Sequence, residues 1–249
     1  MKIAIISDIH GNLEALNSVY VDIRQNDVDN LVCLGDMVGY GPEPEAVVNF
    51  VVEKGIGSVA GNHELAIHED ERLEEMSGDA RASILITRNL LSAATLAFIG
   101  QLPRYIILNK MRFVHGMPPD SATTYLHWAG DDEIAARMKA VAQQRIFVGH
   151  THRPIGYSFD EIDLDVIFLQ EGKTRLHGDS RYIVSVGSVG QPRDGDPRAK
   201  YVIYDSETDE FDLRFVAYDI QKTADRIIKL GFPKYNAQRL FSKMDGFDL

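Results

Sequence analysis

Five short apolar runs in this 249-residue chain stop at residues that bind metals or move protons. Ile3–Ile6 leads into Asp8-Ile9-His10-Gly11-Asn12, Leu31–Leu34 into Gly35-Asp36, and Ile56–Ala60 into Gly61-Asn62-His63-Glu64. Met111–Val114 ends at His115-Gly116, and Ile146–Val148 at Gly149-His150-Thr151-His152. In open α/β sheets functional residues gather beyond the carboxyl ends of strands, so these segments aim one chemistry at one edge. The donors are carboxylate, imidazole and amide with no thiolate, a set that suits Mn, Fe, Zn, Co or Ni better than Ca. In extended backbone, residues i and i+2 face the same way, so the spacing pairs Asp8 with His10 on one ion and His150 with His152 on one ion. Three of the pieces alone have a plainer explanation, whereas paired histidines at a strand end, as at His150 and His152, seldom serve packing. An Asp after a strand caps a helix, Gly-Asp is a common turn, and a lone His115 packs in a core. The ordered set is what points to a metal centre.

Those residues need a scaffold of strands with helices between them. Apolar residues at Leu13, Leu16, Val19, Tyr20 and Ile23 predict a helix over Asn12–Gln25, and Glu43–Lys54 reads as a second, closed by Gly55. The βαβαβ order predicts parallel strands with right-handed crossovers. Glu69–Glu75 is charged and reads as a solvated face or lid, and Asp79–Ile99 reads as one helix. Tyr105–Leu108 and Met111–Val114 form a hairpin around Asn109-Lys110, followed by a helix over Asp131–Ala142. Further strands are predicted at Tyr157–Phe159, Val166–Leu169, Tyr182–Val186, Tyr201–Tyr204 and Phe211–Val216, with a closing helix over Asp219–Leu230. The order suits two packed sheets with helices outside.

Composition narrows the partners. Hydrophobic residues make up 45% of the chain, enough for a substantial core. No linker divides residues 1–249, so one domain is expected, with a helical insertion around 69–101. The formal net charge of -11 and the lack of a basic run argue against a protein that tracks long nucleic acid, whose phosphates demand cationic surface. The single cysteine, Cys33, lies in an apolar run and reads as a buried strand thiol. Nothing resembles a signal peptide or a bilayer-spanning stretch, which makes a cytoplasmic protein the expectation and a membrane partner unexpected.

With these blocks in view, the chain resembles the calcineurin-like metallophosphoesterase family, in its small prokaryotic-type phosphatase/phosphodiesterase branch. The matching blocks run from Asp8 to His152 in the family's order and spacing. The resemblance implies an α/β, four-layer αββα sandwich of two mixed β-sheets flanked by helices. It implies two divalent metal ions, Mn2+ foremost. One is held by Asp8, His10, Asp36 and His152, the other by Asp36, Asn62, His115 and His150, with Asp36 bridging. It further implies hydrolysis of a small phosphate ester by a metal-bridging hydroxide, with Asn62 offsetting phosphoryl charge and His63 acting on the leaving oxygen instead of binding metal.

Two departures bear on substrate. In the family's protein phosphatases an Asp and an Arg follow the second block, whereas Gly39 and Tyr40 stand there in this chain. The resemblance places the loop Gly187–Asp194 beside the metals, which implies Arg193 as a replacement phosphate-binding cation and Tyr40, from the second block, as a stacking surface for substrate; a plain Gly/Pro loop is the competing explanation. His68, His127 and His177 are expected in surface or core roles, and Tyr125 and Trp128 in packing, with a substrate rim as the alternative. The alternatives to a phosphodiesterase or phosphomonoesterase are a non-catalytic scaffold, a protein phosphatase and a nuclease. Scaffold relatives typically lose the histidine at the position of His63, which this chain retains. Monoester or diester preference, native metal and oligomeric state are left open.

Overall fold

In the structure, a computed structural model describing residues 1–241, twelve strands form two six-stranded mixed sheets. The first contains β1 (Lys2–Ile6), β2 (Asn30–Cys33), β3 (Gly57–Ser58), β9 (Gly172–Arg175), β11 (Ala199–Asp205) and β12 (Glu210–Val216), in the order β3-β2-β1-β11-β12-β9. The second contains β4 (Tyr105–Leu108), β5 (Met111–Val114), β6 (Arg145–Val148), β7 (Pro154–Phe159), β8 (Leu164–Ile167) and β10 (Arg181–Val186), in the order β4-β5-β6-β10-β7-β8. β1, β2 and β3 are mutually parallel, as are β5, β6 and β10. The remaining pairs are antiparallel, which makes both sheets mixed.

Alternation along β1 shows how the layers arise. Ile3 and Ile5 point into a core shared with Phe113, Phe147, Val184 and Val202, which lies between the sheets. Ala4 and Ile6 point the other way, into a core with Leu16, Val19, Val47 and Val51. Those partners belong to α1 (Leu13–Ile23) and α2 (Pro44–Glu53). On the far side, α7 (Asp131–Lys139) buries Ile134 and Met138 against Ile146, Val148 and Ile183 of the second sheet. Two sheets, each apolar on both faces, thus need a helical layer on each outer side, and the result is the αββα sandwich.

Several sequence expectations shift. The helix expected over Asp79–Ile99 is two helices, α5 (Gly78–Leu90) and α6 (Ala93–Ile99). Leu91 leaves the helical region, and the Ser92 hydroxyl accepts from Thr95 N–H, so an N-cap restarts the chain. The strand expected over Ile56–Ala60 is reduced to two residues. The metal-binding motif after it opens α3 (Asn62–His68), followed by α4 (Asp70–Glu74). β9 was not foreseen. After α8 (Ile220–Lys229) comes a second unforeseen element, α9 (Lys234–Arg239), and the pair closes a fourth core around Ile227, Phe232 and Leu240. The Asn109-Lys110 hairpin forms as expected, with both residues at positive φ. Among the described residues no helix is long and apolar enough to cross a membrane.

Candidate metal centre

All five motif segments meet at one edge of the sandwich, and they reach it through left-handed backbone. Asp8, His10, Asp36, His150 and His152 have φ of 53, 49, 52, 63 and 58°. This corrects the extended-backbone argument for the paired residues. Asp8 and His10 do converge on one cluster, but through two left-handed turns and not through strand pleating. His150 and His152 do not share a cluster at all. Non-glycine residues there cost of order 1 kcal/mol or more each, and such strain persists where the surroundings over-determine it.

The surroundings are hydrogen bonds from neighbouring loops. His10 N–H donates to Asp36 O at 2.9 Å, Gly11 N–H to Met37 O at 2.8 Å, and Asp8 N–H to Gly35 O at 3.0 Å. Loop Gly187–Asp194 is fixed to the same edge, because Ser188 Oγ and Gly190 N–H both donate to Asp8 O at 2.8 and 2.9 Å. Glu64 is the residue whose role sequence reasoning missed. Buried at the start of α3, its carboxylate accepts from Gly61, Asp36 and Met37 N–H at 2.8 Å each and from Val38 N–H at 3.2 Å. It thereby joins the second and third motifs. The signal was present: a Glu three residues after a helix-opening Gly61 is a capping-box position.

Two groups of donor atoms result. Asp8, His10, Asp36 and His152 form one, and Asp36, His115 and His150 the other, with Asp36 common to both. In the first, His10 Nε2 lies 3.1 Å from His152 Nε2, and Asp8 Oδ1 lies 3.2 Å from His152 Nε2. In the second, His115 Nε2 lies 3.2 Å from His150 Nδ1, 3.2 Å from Asn62 Oδ1 and 3.3 Å from Asp36 Oδ2. Asp36 Oδ2 is 3.7 Å from His10 Nε2, which places it between the groups.

Each of the four imidazoles donates its other ring N–H to a backbone carbonyl. His10 Nδ1 uses Val38 O at 3.0 Å, His115 Nδ1 uses Leu34 O at 2.7 Å, His152 Nδ1 uses Gln191 O at 2.6 Å, and His150 Nε2 uses Thr123 O at 3.2 Å. Anchoring the outer nitrogen fixes the tautomer and turns the inner lone pair toward the centre, as metal-ligating histidines require. His10 and His152, both kept neutral by burial, so face each other lone pair to lone pair at Nε2, which is repulsive without a cation between them. Asp8 Oδ1 is buried and accepts no hydrogen bond. Ligand bonds of about 2.0–2.2 Å place neighbouring donor atoms roughly 3 Å apart, the spacing found in both groups. The residues therefore fit two divalent ions.

Electrostatics agree with this division of labour. Burial holds the His10 and His152 rings below the usual histidine range and brings His150 to about 3. Burial also works downward on His115, but Asp36, Asp8 and Glu64 together outweigh it and raise the ring to about 9. For Asp36 burial works upward and is overcome by His115, His63 and His10, which hold it well below the usual carboxylate range. Glu64 is pushed up to about 7, by burial first and the Asp36 charge second.

His63 belongs to neither group. Its ring sits 4.6 Å from those of Tyr40 and His10 at steep angles, its N–H donates to Asp36 Oδ1 at 2.9 Å, and its Nε2 lies 3.9 Å from Asp36 Oδ2. Neither ring nitrogen hydrogen-bonds to a described residue, and Nδ1 is buried. Burial lowers its pKa to about 4. Gly39, at φ 84°, leaves the space this ring needs, because a Cβ there would overlap His63 Nδ1. Arg193 is tied in by its N–H to His152 O at 3.2 Å and by Nη2 to Gln191 Oε1 at 2.7 Å. Its guanidinium lies 5.8 Å from the centre of the Tyr40 ring. His68, by contrast, donates to Leu96 O, and His68, His127 and His177 enter neither donor group. The packing role expected for Tyr125 and Trp128 holds for the first and not for the second. Tyr125 stacks on His150 at 3.8 Å, and Trp128 is 76% exposed beside it.

A family model described as the calcineurin-like phosphoesterase superfamily domain matches residues 1–209. The chain belongs to that superfamily. It is 36% identical over 244 residues to an uncharacterized protein of Methanocaldococcus jannaschii, covering 96% of this chain and 97% of that one. A metallophosphoesterase from Sphaerobacter thermophilus superimposes with a TM-score of 0.85 at 33% identity, covering 98% of this chain and 99% of the other. A hypothetical protein from Pyrococcus horikoshii shares the fold with a TM-score of 0.80 at 18% identity, over 98% and 99% of the two chains. These matches extend past residue 209, so α8 and α9 belong to the shared architecture.

Proposed function

We propose that this protein is a metal-dependent hydrolase of small phosphate esters, a phosphodiesterase or phosphomonoesterase with two divalent ions, Mn2+ foremost. The observation that carries the reading is the pair of inward-facing imidazole sets that share Asp36, with an unligated histidine beside them. Asp8, His10, Asp36 and His152 hold one ion; Asp36, Asn62, His115 and His150 hold the other. When bound, such a pair supplies a water of lowered pKa and neutralises charge on the phosphoryl oxygens.

Hydrolysis breaks the P–O bond to the leaving alcohol. A water oxygen forms the new bond, and one proton of that water ends on the alcohol. His63 is neutral at pH 7 because burial lowers its pKa to about 4, so it acts as a hydrogen-bond donor and not as a standing imidazolium. Its Nε2, 3.9 Å from Asp36 Oδ2 and without a hydrogen-bond partner among the described residues, carries the N–H offered to the leaving oxygen. The Asn62 amide lies against His115 and can donate to a phosphoryl oxygen, and Arg193 adds a positive charge beside Tyr40.

The protein-phosphatase alternative loses ground at Gly39, where an Asp side chain would displace His63. A scaffold has no need of the His63 arrangement. The test is hydrolysis of chromogenic phosphate mono- and diesters by chelator-treated protein, with and without Mn2+. Turnover that returns with the ion is expected. Protein that binds two ions and hydrolyses neither ester class would refute the enzyme reading.

A further inference from the structure

We infer that the cleft beside the candidate metal centre binds a nucleobase-sized aromatic group carried by the alcohol of the ester; this rests on the phosphoesterase reading above. The cleft encloses about 360 Å³ and is continuous with the centre, since Asn62 and His150 form part of its wall. That volume is at the small end of ligand pockets, which suits one base and sugar and excludes a folded protein surface.

One wall is aromatic. The Tyr125 ring lies parallel to His150, at 3.8 Å and 21°, so a candidate metal ligand fixes its position. Trp128 follows at 4.4 Å from Tyr125 and leaves 76% of its surface open. Exposure alone means little, because Phe168 is 84% exposed and lines no described cleft. Trp128 differs in lining the same cleft as His150. The lining of the same cleft also includes Arg72, Glu75 and Met76, from α4 and the turn into α5. Arg72 is held by Glu69 at 2.5 Å, and the Glu75 carboxylate has no partner among the described residues. A flat ring that stacks on the aromatic residues shares the cleft with a cationic donor, Arg72, and a carboxylate acceptor, Glu75. An alkyl alcohol would use neither, and a plain phenyl ring would leave the polar pair unused. The charged run Glu69–Glu75, read from sequence as a solvated face or lid, thus becomes a wall of the cleft.

Two readouts separate this inference from the function it rests on. Trp128 is the chain's single tryptophan, so its fluorescence reports the cleft without any turnover. Adenosine should quench it saturably and ribose should not. In turnover with Mn2+, adenosine 5'-monophosphate and ribose 5-phosphate share the same leaving oxygen and differ only in the base. The methyl diesters of both extend the comparison to diesters. The base should raise kcat/KM about 10-fold or more, within the range that stacking on an aromatic side chain supplies. Trp128→Ala should reduce that ratio to near one, Trp128→Phe should retain most of it, and Phe168→Ala should leave it unchanged. Hydrolysis of both members at equal kcat/KM, without selective quenching, would overturn the aromatic subsite and leave the phosphoesterase reading intact. Saturable, base-selective quenching in a protein that hydrolyses no ester would support the subsite and overturn the phosphoesterase reading.

Discussion

Asp36, His115 and His150 are buried side chains held from other segments: Asp36 accepts from His63 N–H, His115 donates to Leu34 O, and His150 donates to Thr123 O. A few ångströms away, Trp128, Glu75 and Arg72 stand on a short helical turn, on α4 and just beyond it, and meet solvent. The difference lies in what each region has to hold. Bringing like lone pairs and carboxylates together opposes folding, so the metal edge needs backbone strain, outward anchors and Glu64 to keep its shape. The cleft wall contains no such conflict. Its residues have only to be present, and exchanging them changes what is bound more than whether the chain folds.

The largest expected effect comes from attacking the shared atom of the metal edge. Asp36→Asn weakens both donor groups at once. Bound metal should fall from about two ions per chain to one or fewer, with activity falling more than 100-fold, beyond the 10–100-fold that partners outside the coordination sphere command. Metal analysis after dialysis checks this, and loss of only one ion with the other held tightly would deny the bridging position.

Next in size is His63→Ala, for which turnover should drop about 10²–10⁴-fold at near-normal metal content. A variant that lost its ions would make His63 a ligand. Gly39→Ala reaches the same ring indirectly. It should lower kcat and cost about 1–2 kcal/mol of stability from the left-handed backbone alone, read by denaturant titration.

The chelator-treated protein offers a pH test of the same edge. His63 and His150 have pKa values near 4 and 3 when folded, against about 6.5 unfolded. Below pH 6.5 the unfolded chain binds protons that these buried rings refuse, so stability falls as the pH falls. His115 and Glu64 have the opposite sign: the His115 contribution is full below pH 6.5 and is lost as the pH rises through about 9, and the Glu64 contribution is full below about pH 4.5 and is lost as the pH rises through about 7. A Tm lower at pH 5 than at pH 7 is expected, because the lowered rings of His10, His63, His150 and His152 outnumber the two groups of opposite sign, and the difference should recede when Mn2+ is added. A flat Tm would mean that the rings are not held neutral.

The smallest effect belongs to the substrate side. Arg193→Met should raise KM several-fold with kcat little changed, since the guanidinium lies beyond the donor groups and is anchored by Gln191. An equal fall in kcat would move Arg193 into the reacting centre.

The same contrast explains what could be read in the sequence. β1 and β2 were legible because apolar runs broke abruptly at Asp8 and Asp36, and the approach of five motifs to one edge followed from their order. The sorting of His150 and His152 into different groups was not legible from spacing. It depends on left-handed backbone at both, and pattern reading assumes regular geometry. β9 escaped because Gly172-Lys173-Thr174-Arg175 is an edge strand without apolar alternation, paired only to β12. α3 escaped because its first turn is the motif itself, whose polar residues read as loop. Trp128 was assigned to packing because large aromatics usually are buried, and only the fold shows that this one opens onto the cleft.

The central claim is that one carboxylate, Asp36, joins two ion sites. Anomalous diffraction from crystals grown with Mn2+ tests it most directly. Two peaks roughly 4 Å apart are expected, one among Asp8, His10 and His152 and one among Asn62, His115 and His150, with Asp36 between them. A single peak, or two peaks with Asp36 touching only one, would contradict it.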